Sequence, residues 1–180
     1  MKKLTYTDLK TGDVAAFRTS FNVIKPVTWL STSIRYFAKI KHNHVGVIIT
    51  TDKTEIYESI EGGFKNREFT EKLKEYDLKN IIILRPVYPE FVESLFRIET
   101  KILAFNTPYD VVGLLSQLVW NLTNVWVGKR REKAKSLMYC YESMGYLHRR
   151  SKVFRKWWKI KCFQLFTTKE FEQYALITKI

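Results

Sequence analysis

A histidine that precedes a distant cysteine is the feature that most restricts how this chain can fold. His44 enters the apolar run HVGVIIT, and Cys140 lies much later, in the aromatic segment LMYCYESMGY. A thiol attacks carbonyl groups as its thiolate, and an adjacent imidazole can hold it in that form as an ion pair. The two side chains must be close in space and not in sequence. A reactive pair therefore requires a fold that brings the start of one strand to the cysteine.

The composition is that of a single globular domain. A chain of 180 residues is long enough for one hydrophobic core and short for two, and its hydrophobic fraction is 46%. We therefore predict one domain over residues 1–180. The two cysteines form no CxxC pair, which indicates reduced thiols, and the N-terminus lacks the apolar core of a signal peptide. We expect a cytoplasmic protein, with peripheral membrane binding or phage delivery as alternatives.

Most of the net charge of +13 lies in one segment of the chain. Between residues 129 and 161 there are twelve Lys or Arg and only two acids. The wider basic, aromatic segment, at about 129–163, also contains Trp157 and Trp158. Such a segment attracts anionic membranes or wall polymers, and nucleic acid is the weaker candidate. The structural alternative is a solvated basic face over buried aromatic side chains.

Hydrophobic periodicity predicts a mixed α and β protein. Strands are expected at residues 14–18, from His44, and in the segments EIYESI, NIIILRPV and FEQYALITKI. Helices are expected from Pro26, from Pro89, over VVGLLSQLVWNLTNVWV and from about Cys140. The helix from Pro89 has one apolar stripe, formed by Phe91, Leu95, Ile98, Ile102 and Phe105. The apolar run from Val111 to Val127 is only marginally long enough for a membrane span, so we expect a largely buried helix.

Strand alternation places the candidate catalytic groups. Val45, Val47 and Ile49 face one side of their strand, and His44 faces the other. Glu58 lies across the predicted hairpin and shares the face of His44 if the register has even parity. A carboxylate there would orient the imidazole, although an exposed strand acid is the simpler interpretation.

The remaining histidines and the second cysteine give little support to another site. His42 and His44 have only His148 to complete a histidine set, so we expect neither a metal nor a cofactor. His42 is expected to face solvent or to lie behind the site. Cys162 is interpreted as structural, whereas Cys140 at a helix N-terminus would have its thiolate stabilised by the helix dipole.

Six segments in order carry a resemblance to a known family. LKTGDVAAF, HNHVGVI, IYESIEGGF, IIILRP, NTPYD and YCYESMGY span Leu9 to Tyr146. Together they resemble the motifs of the permuted papain-like amidohydrolases, particularly the YiiX/YebB-like branch of the NlpC-type superfamily. The resemblance implies an α+β, circularly permuted papain-like fold, with an antiparallel sheet or barrel packed against helices. The permutation places the nucleophile helix after the strands, which accounts for the order of histidine and cysteine.

The resemblance also implies a mechanism and roles for individual residues. Cys140 would be the nucleophile, His44 the general base and Glu58 the residue that orients the imidazole, in a cysteine amidase or peptidase with a thioacyl intermediate. Asp13, Tyr109 and Asp110 match structural or pocket-forming elements. Tyr141 departs from the family, in which a small or hydroxyl residue follows the nucleophile, so the pocket would have its own shape.

Three functions remain open at this point. The implied substrate is a peptidoglycan-type peptide or a lipid or acyl amide or ester. An acyltransferase or thioesterase similar to lecithin:retinol acyltransferase is the second enzyme hypothesis. A non-enzymatic module that binds an anionic membrane or nucleic acid is the third, and the oligomeric state is not predicted.

Overall fold

The protein is an α+β structure built on one antiparallel sheet. The computed structural model describes residues 8–19, 24, 26–86, 93–125, 127, 139–150 and 175–179. Over these residues the sheet has the strand order β4-β3-β2-β1-β5-β6. The strands are β1 (Val14–Phe17), β2 (His44–Thr50), β3 (Thr54–Ile60), β4 (Gly63–Glu68), β5 (Ile81–Pro86) and β6 (Ala175–Lys179). The helices are α1 (Pro26–Phe37), α2 (Phe69–Leu73), α3 (Glu93–Asn106), α4 (Val111–Thr123) and α5 (Cys140–Arg150), and a short 3₁₀ turn spans Leu78–Asn80.

The strands predicted from apolar runs are confirmed, and they separate two hydrophobic clusters. Val45, Val47 and Ile49 belong to the cluster that also contains residues of α5. Ile48 of the same strand belongs to the second cluster, which contains Phe69 of α2. The central strands are therefore buried on both faces, which explains their nearly continuous hydrophobic sequence.

The turn before β1 ties three strands together. Gly12 has a φ of 93°, a conformation that favours glycine, and its N–H donates to the carbonyl of Ile48 at 2.9 Å. The buried Asp13 carboxylate accepts hydrogen bonds from Arg85 of β5 at 2.7 and 2.9 Å and from the Lys10 N–H at 2.9 Å. Asp13 thus stabilises the joining of β1, β2 and β5.

The sequence interpretation missed one strand and misidentified the packed face of one helix. The edge strand β4 was not predicted, because only its first two residues are buried and the rest of GFKNRE is polar and largely exposed. Helix α3 forms, but its predicted apolar stripe is not its buried face. Ile98, Ile102 and Phe105 are exposed, whereas the buried face has Phe96, Glu99, Thr100 and Leu103.

Helix α4 is half-buried and does not lie wholly within the core. It buries Gly113, Leu114, Ser116 and Gln117, and it exposes Val111, Val112, Leu115 and Leu122. Among the helices of the described residues, none has the length and hydrophobicity needed to cross a bilayer. Within the Val111–Val127 run, the helix Val111–Thr123 therefore has one packed side and one side that faces the surface, and the expectation of a largely buried helix is corrected.

Candidate active site

A cavity of about 480 Å³ lies where β1 and β3 end and β2 begins. We refer to it as the first cavity. Its wall includes Cys140, His44 and Tyr109, together with the hydroxyl and amide groups of Thr19, Thr28, Ser31, Asn43 and Ser59. Glu61, Ile60, Arg67, Lys72, Glu75 and Tyr76 complete the lining. A polar cavity of this volume can accept a small substrate.

The register of the β2–β3 hairpin brings Glu58 to His44. Glu58 pairs with Gly46, which shares a face with His44, so the parity is even as the hairpin hypothesis required. The two side chains meet with 2.5 Å between His44 Nε2 and Glu58 Oε2. Gly46 makes room for the Ile56 side chain on this face, because a Cβ there would lie 2.6 Å from Ile56 Cδ1.

Glu58 is the centre of a buried charge network formed with His44, Arg67, Lys72 and Glu75. The Glu58 side chain is only 1% exposed, yet three cationic groups contact its carboxylate. Lys72 Nζ lies 2.9 Å from Oε2, and Arg67 Nε donates to Oε1 at 3.0 Å. Glu75 in turn pairs with both Arg67 and Lys72. The carboxylate is therefore held in one orientation from several sides.

Arg67 and Lys72 were not singled out in the sequence, and only Lys72 has a recognisable sequence signal. Arg67 pairs with Ile56 across the β3–β4 hairpin, so strand alternation puts it on the face of Glu58. Lys72 shares the buried side of α2 with Phe69 and Leu73, at a position where an apolar residue is expected. Its ammonium lies 5.3 Å from the centre of the Phe17 ring and is only 3% exposed. A lysine on an apolar helix face indicates a buried anionic partner.

The network changes the ionisation of both His44 and Glu58. Burial acts to lower the pKa of His44, but hydrogen bonds with the side chains of Cys140 and Glu58, and the Glu58 charge, outweigh it and raise that pKa to about 9. Burial acts to raise the pKa of Glu58, but His44 and then Lys72 hold it well below its usual range. The imidazole is therefore kept protonated at neutral pH beside an ionised carboxylate.

Cys140 stands at the first residue of α5. It is 3% exposed and belongs to the hydrophobic cluster on one face of the sheet. Phe17, the register partner of His44, belongs to the cluster on the other face. The cysteine and the histidine meet at the end of the sheet, where both line the first cavity. Glu58 contacts Nε2 of His44, and the side chain of Cys140 contributes to the raised pKa of the same imidazole. The N–H groups of the first turn of a helix have no partners within that helix, so they are suited to stabilise negative charge.

The NTPYD segment places one phenol in the first cavity. The Phe64 N–H donates to the Thr107 carbonyl at 2.8 Å, and Gly63, with a φ of 113°, permits this approach. A Cβ at Gly63 would lie 2.8 Å from the same carbonyl oxygen. Burial, followed by the nearby Cys140, raises the pKa of Tyr109 well above its ordinary value, so the phenol keeps its proton. Tyr109 is thus an O–H donor close to Cys140.

The other predicted motif residues lie outside the wall of the cavity. Asp110 caps α4, where its carboxylate accepts from the Gly113 N–H at 2.7 Å. The Tyr141 side chain is buried and its hydroxyl donates to the carbonyl of His42, so this residue anchors the chain before β2. Asp13 makes its ion pair with Arg85. Trp157, Trp158, Cys162 and most of the segment at about 129–163 lie outside the described residues.

The two remaining histidines are buried and neutral. His148 packs against Phe96 with 5.0 Å between ring centres, and burial lowers its pKa to about 3. His42 is 7% exposed, so the alternative in which it faces solvent is wrong. In the part of the chain that the structure describes, no three His, Cys, Asp or Glu side chains are grouped closely enough to hold a metal ion.

Comparison with known proteins leaves the site to be interpreted from its own geometry. The chain matches no protein-family model, and no curated protein matches it either.

Proposed function

We propose that the protein is a cysteine hydrolase that cleaves an amide or ester through a thioacyl intermediate, with Cys140 as nucleophile. His44 is its acid and base, and Glu58 orients the imidazole. The single observation that carries the proposal is that one imidazole lines the first cavity together with the cysteine and contacts a buried carboxylate at 2.5 Å. The order of the strands and of α5 supports a circularly permuted papain-like fold of the NlpC type.

The proposed reaction begins from a thiolate at Cys140 beside the His44 imidazolium. The sulfur attacks the carbonyl carbon, and the oxygen takes up the electron pair as an oxyanion. N–H groups at the start of α5 and the Tyr109 hydroxyl stabilise that charge. The C–N or C–O bond then breaks as His44 gives its proton to the leaving amine or alcohol, which leaves a thioester. Water loses a proton to His44 and attacks the thioester, so the acid is released and the ion pair is restored.

The lining of the first cavity favours a polar peptide as substrate. Most of its lining residues carry a hydroxyl, amide or charged group, and few of them are aliphatic. Such groups match the hydrogen-bonding demand of a peptide better than that of a long acyl chain. We therefore place a peptidoglycan-type peptide ahead of a lipid ester or an acyl transfer to a second substrate.

Cysteine alkylation tests the proposed nucleophile. We expect iodoacetamide near neutral pH to label Cys140 faster than Cys162, and His44→Ala to abolish the difference, because the imidazole no longer holds a thiolate. His42→Ala is the matched control, since this histidine does not line the first cavity. Peptide mapping by mass spectrometry distinguishes the two cysteines.

Equal labelling of both cysteines, unchanged in His44→Ala, would refute the catalytic pair and favour a binding module. If the pair is reactive, hydrolysis of muropeptides and of phospholipids should then be compared. Release of amine from a muropeptide, lost in Cys140→Ser, is the expected result. Release of fatty acid alone would instead assign the enzyme to the lipid-directed alternative.

A further inference from the structure

A second cavity of about 680 Å³ lies behind the chain segment that leads to His44. It is lined by Arg18, Arg35, Lys41, Lys79 and His42, with Thr32, Tyr36, Ile40, Asn80 and Ile82. Its lining contains four permanent cations and no carboxylate. A concave surface with this excess of one charge concentrates ligands of the opposite charge.

Three of the cations have no carboxylate partner among the described residues. Arg18, Arg35 and Lys41 take part in none of the ion pairs there, whereas Lys79 contacts Asp77 at 2.6 Å. The charges converge closely enough to repel one another. Burial first, and then Arg18, lowers the pKa of Arg35. Burial, followed by Lys41, Arg18 and Arg35, lowers the pKa of His42 to about 4. A bound anion would relieve this repulsion.

Two buried polar atoms in the same wall also lack hydrogen-bond partners. Nδ1 of His42 and Oγ1 of Thr32 are inaccessible to solvent, and neither has a partner among the described residues. His42 is itself 7% exposed. Buried polar atoms are normally satisfied, so a small rotation that turns these two toward the basic cavity would let a bound anion supply the missing contacts.

We propose that the second cavity is a binding site for a phosphate-class anion. A phosphate monoester carries close to two negative charges at neutral pH and several acceptor oxygens, so it suits a cavity lined by two guanidinium groups better than a single carboxylate does. The volume also leaves room for an organic group attached to the phosphate. The proposal concerns binding and does not depend on the chemistry at Cys140.

The cavity adjoins the first one through shared segments of the chain. Helix α1 places Ser31 in the wall of the first cavity and Arg35 in that of the second. Asn43 lies between them, and its side chain accepts from the Thr19 N–H at 2.8 Å and donates to Ser31 at 3.3 Å. The two sites are therefore separated by hydrogen-bonded segments and remain distinct.

Calorimetric titration of the full chain with inorganic phosphate and with glycerol 3-phosphate tests the site. We expect saturable binding at constant ionic strength, weakened at least about tenfold in Arg35→Gln or Lys41→Gln, because each change removes a charged hydrogen-bond donor. Lys41 is exposed, so its substitution leaves folding intact. Lys53→Gln, in the exposed β2–β3 turn, is the matched control for loss of one charge.

The imidazole of His42 offers a local readout by proton NMR, since the chain has only three histidines. Phosphate should move the ring resonances of His42 and leave those of His148 in place. Tighter binding of glycerol 3-phosphate would identify an organic phosphate or lipid headgroup as the ligand, and equal affinities would identify free phosphate. No binding in the millimolar range, or equal binding by Arg35→Gln, Lys41→Gln and Lys53→Gln, would overturn the proposal.

Discussion

Replacement of Glu58 by glutamine removes the charge on which the network depends while keeping the shape of the side chain. The variant retains an oxygen that accepts hydrogen bonds. It loses the negative charge now shared by His44 at 2.5 Å and by Lys72 and Arg67 at 2.9 Å. Within the part of the chain that the structure describes, Lys72 then keeps only Glu75, at 3.4 Å, as its carboxylate partner.

The expected magnitude follows from the burial of these groups. Removal of one partner of a buried ion pair typically costs about 3 to 5 kcal/mol. Glu75 is 48% exposed and can still partly balance Lys72 and Arg67, so we expect the lower end, a loss of about 3 kcal/mol in the free energy of unfolding. The pKa of His44 should also fall from about 9 towards its ordinary value, because burial and the remaining Cys140 interaction then act alone.

Two measurements test this prediction. Urea unfolding at neutral pH gives the free energy of unfolding, and proton NMR of the imidazole ring gives the pKa of His44. Glu55→Gln is the matched control on the same strand. Its carboxylate is only partly buried and accepts from Asn66 and Tyr57, so its replacement should change stability by less than about 1 kcal/mol.

The reasoning would be refuted by a Glu58→Gln protein as stable as Glu55→Gln with an unchanged pKa for His44. Loss of stability with an unchanged pKa would show that Glu58 serves the fold and does not orient the imidazole.

Three further predictions concern stability and use urea unfolding. The unfolded chain binds protons at His42 and His148 below about pH 6.5 while the folded protein does not, because their folded pKa values are about 4 and about 3. The free energy of unfolding should therefore fall between pH 6.5 and 4.5, by about 2 kcal/mol for each histidine, and a flat profile would contradict their neutral burial. Lys72→Met should lower the free energy of unfolding by about 3 kcal/mol, because Glu58 loses one of its cationic partners. Lys74→Met, at an exposed ion pair, should lower it by less than about 1 kcal/mol. Equal effects would exclude a structural role for the buried lysine. Asp110→Ala should lower the free energy of unfolding by about 1 kcal/mol, because α4 loses its N-terminal cap. An unchanged midpoint of urea unfolding would show that the cap contributes nothing to stability.

The strands of the central sheet were predictable because their pattern is local. β2 and β5 are short apolar runs whose residues are buried on both faces. β4 lacks this pattern, since an edge strand exposes most of its side chains. In α3 the packed face includes the polar Glu99 and Thr100, and three large apolar residues, Ile98, Ile102 and Phe105, lie on the exposed face. Periodicity identified the helix there and misidentified its orientation.

The residues of the candidate site were recognisable by type, but their partners were not. His44 and Glu58 lie on one short hairpin, so the parity of the strand register alone decides whether the carboxylate shares the face of the histidine. The structure has the even parity that places it on that face. Lys72 and Arg67 reach the same carboxylate from α2 and β4, and no spacing in the chain relates those elements to His44.

The sequence alone determines the order of histidine and cysteine, the alternation of side chains along the strands and the excess of positive charge. Covalent order and short-range sterics are sufficient to determine them. The meeting of Cys140 with His44 at the end of the sheet depends on the tertiary structure, since the two residues belong to opposite faces of the sheet. The burial of Lys72 and the placement of Arg18, Arg35 and Lys41 around one cavity also depend on the tertiary structure. Each depends on how distant segments pack, and packing is governed by the exclusion of water from the whole core and not by any one segment.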